Sequence, residues 1–165
     1  VRKTLLVTLF TVVGLASVVG SAVAAPGSAT RNGHTLSADD ATGLDPAGAT
    51  ITITGSGYDD PNGYYLALCQ VPDDFSYGAR PAPCLGGNGQ GSEQIGPSSW
   101  VTNAFPANGK SIFSISGGSF TAKIRVTEAG PGLDCSQVTC AIISRRDHNA
   151  SADRFYDVFI PVSFG

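Results

Sequence analysis

Residues 120–126 read FTAKIRV, in which Phe120, Ala122, Ile124 and Val126 alternate with Thr121, Lys123 and Arg125. That period of two puts one face of a β-strand into a core and the other into water. The run ATITIT from Ala49 to Thr54 repeats the pattern, with Ile51 and Ile53 on one face. Tyr64 to Cys69 and Cys140 to Ser144 are shorter and continuously apolar, which suits the inner part of a sandwich. The run Phe155 to Phe164 places Tyr156, Val158, Ile160, Val162 and Phe164 on one side. Pro161 has no N–H for a ladder, so this strand belongs at an edge or carries a bulge.

Turn signals separate these runs: Leu44 to Gly48, Asp59 to Gly63, Asn108-Gly109, Gly117-Gly118 and Gly130 to Gly132. Helix formers are scarce, and about seven short strands with turns this frequent predict an all-β, immunoglobulin-like Greek-key sandwich. Val71 to Ser98 stands apart as a long stretch rich in Gly and Pro that encloses Cys84, and loops of that length are usually functional or disordered. The sandwich is expected over residues 34–165, preceded by a flexible leader at 25–33.

Residues 1–24 change the picture of location. Arg2 and Lys3, an apolar run from Leu5 to Val19 and the small residues from Ser21 to Ala25 read as a secretory signal peptide with cleavage near Ala24. That run is short for a membrane span and no second one follows, so an exported, soluble monomer is expected. The whole chain carries a net charge of -3, and losing Arg2 and Lys3 leaves eight basic against thirteen acidic residues. Such a surface argues against a nucleic-acid partner. Four cysteines, Cys69, Cys84, Cys135 and Cys140, lie beyond the signal and allow three pairings. Sequence separation favours Cys69 with Cys84 and Cys135 with Cys140. The CxxxxC spacing in an exported chain speaks against a metal site.

The order LSADDATGLDPAGATITITGSGY, a strand ending in Cys69-Gln70, a second cysteine after a loop, LDCSQVTC before a strand and a closing DVFIPVSF resembles the neocarzinostatin family. These are small secreted immunoglobulin-like sandwiches, the apoproteins of enediyne antibiotics. The resemblance covers roughly Thr35 to Phe164 and implies the same two disulfides, a seven-stranded sandwich and a cleft beside a two-stranded ribbon. In the antibiotic carriers the segment before DCxxxxC is a longer hairpin bearing aromatics against the chromophore. Here Glu128 to Gly132 bridges directly to Leu133-Asp134, with no such aromatics. After Cys140 the carriers turn through small neutral residues, whereas this chain has Ser144-Arg145-Arg146-Asp147-His148, which would alter what can bind.

That charged stretch is the main candidate site. As a turn, Asp147 would pair with an arginine and cap backbone amides, with Asp153, Arg154 and Asp157 completing a charge network. As a site, two guanidinium forks at Arg145 and Arg146 would grip a carboxylate or phosphate. Asp147 and His148 are adjacent and point to opposite faces of an extended strand, so they make a poor catalytic pair. No nucleophile elbow is present, and the second histidine, His34, falls in the expected leader. Neither catalytic residues, a metal set nor a cofactor is implied. The reading is a secreted, non-enzymatic binding protein that holds a small apolar or anionic ligand through Trp100, Tyr65, Arg145, Arg146 and His148. Two other readings are a structural or adhesive module of the cell envelope that binds protein or glycan, and haem binding by His148 or a tyrosine with arginines on the propionates.

Overall fold

The computed structural model describes residues 24–87 and 93–165. The expected signal segment, up to residue 23, lies outside them. The first six strands are β1 (Ala25–Arg31), β2 (His34–Thr42), β3 (Ala49–Ser56), β4 (Tyr64–Gln70), β5 (Ser98–Val101) and β6 (Ile112–Phe113). There follow β7 (Ile115–Ser116), β8 (Ser119–Val126), β9 (Ala129–Gly130), β10 (Leu133–Asp134), β11 (Cys140–Arg146) and β12 (Val158–Pro161). One short 3₁₀ turn, His148–Ala150, sits between β11 and β12.

Two five-stranded sheets face each other, in the orders β1-β2-β3-β8-β7 and β12-β11-β4-β5-β6, and β9 and β10 pair as a small ribbon. The chain crosses between the sheets from β3 to β4, from β6 to β7 and from β8, by way of the ribbon, to β11, and every strand pairing is antiparallel except β5 with β6. The protein is thus an all-β immunoglobulin-like sandwich. The two disulfides are Cys69–Cys84 and Cys135–Cys140.

The core follows the alternation. Ile51 and Ile53 of β3 and Phe120, Ala122, Ile124 and Val126 of β8 are buried between the sheets, against Leu66, Leu68 and Ile142 of the second sheet. Tyr156, Val158 and Ile160 join them, with Val162 and Phe164 packed alongside. β12 is an edge strand that ends at Pro161, where a missing N–H costs no ladder bond.

The 25–33 segment is not a flexible leader. It forms β1 and runs antiparallel to β2 through a two-residue turn, with Arg31 opposite His34. Asn32 and Gly33 both have positive φ, 51° and 84°, the geometry that makes Asn-Gly a hairpin signal. The small residues Ala25, Gly27 and Ala29 and the half-buried Arg31 face the body of the protein, so the strand carries no hydrophobic signature. The sandwich therefore starts at Ala25 rather than residue 34. His34 opens β2, buried among the rings of Tyr58, Phe155 and Tyr156.

Among the described residues no helix is long and apolar enough to cross a membrane.

Candidate functional site

β11 carries the charged stretch, and its alternation divides the sequence between two faces. Cys140, Ile142 and Ser144 point between the sheets. Ala141 and Ile143 point outward, where with Ala67, Cys69, Val71 and Phe159 they form a smaller apolar cluster, backed by Phe75 and Cys84 of the long loop. Arg145 continues this outer row and pairs in register with Tyr65 of β4. The long loop thus covers the outer face, tied down by the Cys69–Cys84 bond and by backbone bonds from Gln70 N–H to Pro83 C=O (2.9 Å) and from Leu85 N–H to Leu68 C=O (2.9 Å).

Where the loop stops short of Arg145 it leaves a cavity of about 830 Å³. The sheet contributes Tyr65, Arg145 and Arg146, the turn after β11 contributes Asp147, His148 and Ser151, and the loop contributes Arg80, Pro81, Ala82, Cys84, Gly86 and Gly87. Four of the five residues expected from sequence therefore share one cavity wall.

Trp100 does not line it. The indole is buried behind the wall, and its Nε1–H donates to Asp147 Oδ2 at 3.2 Å. Its ring contacts Tyr65, His148 and Phe105 at centroid distances of 6.1, 5.4 and 5.3 Å. Asp147 is buried and caps the 3₁₀ turn, accepting from Asn149 N–H at 3.0 Å and from Asn149 Nδ2 at 3.1 Å. Gly63 makes room for this arrangement, since a Cβ there would collide with the Asp147 carboxylate and come within 3.0 Å of Trp100 Nε1. Asp147 does cap amides as expected, yet its partners are Trp100 and Asn149 rather than an arginine.

The two arginines have different fates. The Arg146 guanidinium lies 5.9 and 5.3 Å from the ring centroids of Tyr64 and Tyr156 and pairs with Asp153 at 3.6 Å. Arg154 pairs with Asp157 at 3.0 Å, so the expected charge network exists, built around Asp153 and Asp157. Arg145 is only 7% exposed, its Nε is buried without a partner, and it makes no hydrogen bond or ion pair with any described residue. Its guanidinium lies 5.9 Å from the centroid of the Tyr65 ring, and the charge of Asp157 reaches it without an ion pair. Burial, and then the charges of Arg80 and Arg154, pull its guanidinium below the usual arginine range.

His148 is exposed at the cavity wall, its Nδ1 2.6 Å from the Tyr65 hydroxyl and its ring stacked on Tyr65 at an interplanar angle of 27°. Burial, then the charge of Asp147, raises the Tyr65 phenol. Asp157, buried behind Arg145, is pushed up to about 6 by desolvation, against the pull of Arg154, Arg31 and Arg145.

Arg80 escapes sequence reasoning. It is the single basic residue of Val71 to Ser98, a signal that was available, but only the disulfide and the loop's path bring it to the cavity. A second cavity, about 360 Å³, lies against the ribbon and is lined by Leu85, Ile95, Pro97, Gly130 and Pro131 with Arg125 and Thr127. No aromatic residue lines it. Among the described residues no group of three or more His, Cys, Asp or Glu side chains could hold a metal ion.

No protein-family model matches the chain. It is similar to thiamine biosynthesis protein X of Corynebacterium glutamicum, at 31% identity over 119 residues, 71% of this chain and 56% of that one. The chain thus spans about half the length of the curated relative it matches. Among solved structures it is similar to macromomycin, at 18% identity and a TM-score of 0.48, over 80% of this chain and 99% of that one.

Proposed function

We propose that this protein is a divergent, neocarzinostatin-like, non-enzymatic binding protein that works outside the cell and holds a small ligand in the cavity between the outer face of the second sheet and the long loop. The observation that carries the reading is the cavity itself. Its volume of about 830 Å³ lies within the range of small-molecule sites, and its wall brings together Tyr65, Arg145, Arg146 and His148 from a rigid sheet and the turn that follows it. The sequence pattern of the family, present from Thr35 to Phe164, supports the type. Two disulfides in so short a chain support an oxidising compartment. Asp147 and His148, the residues closest to a catalytic pair, are committed to Trp100 and Asn149 and to Tyr65 respectively, which favours holding over chemistry.

Trp100 is the sole tryptophan and bonds to a residue of the cavity wall, so its fluorescence reports on the cavity. Titration with aromatic acids, aromatic phosphates, uncharged chromophores, thiamine and thiamine diphosphate is expected to give saturable quenching by at least one class. The thiamine compounds are included because the name of the Corynebacterium relative connects that protein with thiamine biosynthesis. If no compound of any class changes the emission, or calorimetry finds no binding, the reading fails.

A further inference from the structure

The charges around the cavity do not balance. Asp147 is the only acid on the described wall, and both its oxygens are occupied, Oδ1 by Asn149 N–H and Oδ2 by Asn149 Nδ2 and Trp100 Nε1. Arg146 is answered by Asp153, and Arg154 by Asp157. Arg80 and Arg145 remain, and neither has a hydrogen bond or ion pair with a described residue. Arg80 is on the exposed loop, where water solvates it. Arg145 is buried with its Nε facing no acceptor among the described residues, and Asp157, the acid whose charge reaches it, is already paired with Arg154; a buried cation without a direct partner is costly for a fold to keep. The chain as a whole is acidic, net -3, so this positive lining is local and opposite in sign to the molecule's average. Beside it the exposed His148 ring lies at 27° to the plane of the largely buried Tyr65 ring, and both line the cavity.

Building on the binding reading above, we propose that the ligand is a small organic anion with a planar body, whose carboxylate or phosphate head sits against Arg145 and Arg80 while the body lies along Tyr65 and His148. A guanidinium offers two parallel N–H donors to either head group, and the low-dielectric setting of Arg145 strengthens that contact relative to one on the surface. Arg80 adds an exposed, salt-screened attraction. The anion supplies the acceptor that the fold withholds from Arg145.

Calorimetric titration of the disulfide-bonded protein with benzoate, phenyl phosphate, inorganic phosphate and uncharged benzamide tests this. At least one of the aromatic anions should bind saturably and benzamide should not, and benzoate against phenyl phosphate decides between the head groups. Arg145→Met should weaken the bound anion roughly tenfold to a hundredfold, Arg145→Lys by less, and Arg80→Ala a few-fold with a shallower salt dependence. Should Arg145→Met fail to fold, Arg80→Ala, on an exposed loop, still carries the test. Benzamide binding as tightly as the anions, or anion affinity unmoved in both arginine variants, overturns the anion assignment and leaves the binding reading intact. Binding by none of these probes and by no compound of the fluorescence panel removes both.

Discussion

The inner and outer faces of β11 belong to one strand and differ in how they treat polar groups. Inside, Ser144 is fully buried and doubly satisfied, with its Oγ 2.7 Å from the Tyr58 hydroxyl and donating to Tyr156 C=O at 3.0 Å. Outside, one residue further on, Arg145 is nearly as buried and has no hydrogen bond or ion pair with a described residue, and Asp157 Oδ1 is likewise unmatched among them. The inner face is solved for stability. The outer face keeps unsettled charge where the larger of the two described cavities opens, which is the pattern expected where stability is traded for binding.

Truncating each face should have opposite signs. Ile142→Ala, in the inner core at 0% exposure, is expected to cost about 2–5 kcal/mol in denaturant unfolding, and a loss well below that would mean the inner face is looser than its burial suggests. The outer face should show itself next through pH. Burial holds the Asp157 carboxyl at about 6 in the folded chain, above its ordinary 3.8, with Arg154, Arg31 and Arg145 pulling it down and Asp153 pushing it up. A carboxyl raised on folding contributes stability that is fully present below about pH 4 and lost as the pH climbs through about 6, on the order of 3 kcal/mol by linkage. Asp157→Asn should flatten that part of the pH–stability curve relative to wild type; parallel curves would show that Arg154 compensates the burial in full. The smallest effect is the most diagnostic. Arg145→Met should raise stability by about 1 kcal/mol while it weakens ligand binding, because relief of a buried charge with no direct partner among the described residues outweighs the lost attraction to Asp157. A clear loss of stability instead would make Arg145 a structural residue and erase the contrast between the faces.

Much of the fold was legible because large apolar residues recur every second position in β3 and β8 and run continuously in β4 and the apolar part of β11. β1 was not legible by that route, since its inward residues are Ala25, Gly27, Ala29 and Arg31, and only the Asn32-Gly33 turn betrays it. At the site, the alternation that separates Asp147 from His148 separates Arg145 from Arg146 as well, so the two guanidinium groups have different neighbours although both residues reach the cavity wall. Trp100 reads from sequence as a ligand contact, whereas it lies buried behind the wall, because its bond to Asp147 depends on the meeting of β5 with the turn after β11. Arg80 depends on the path of a long loop, which no local pattern encodes.

The Cys69–Cys84 bond joins the strand that floors the cavity to the loop that walls it. Whatever freedom the loop has at Cys84 is bounded by the freedom of β4, a central strand with neighbours on both sides. Arg80, four residues upstream, inherits part of that restraint. Much of the entropy that an open loop would lose on closing around a guest has already been lost when the protein oxidises, so the cavity is preorganised and more of each contact is left to hold what enters.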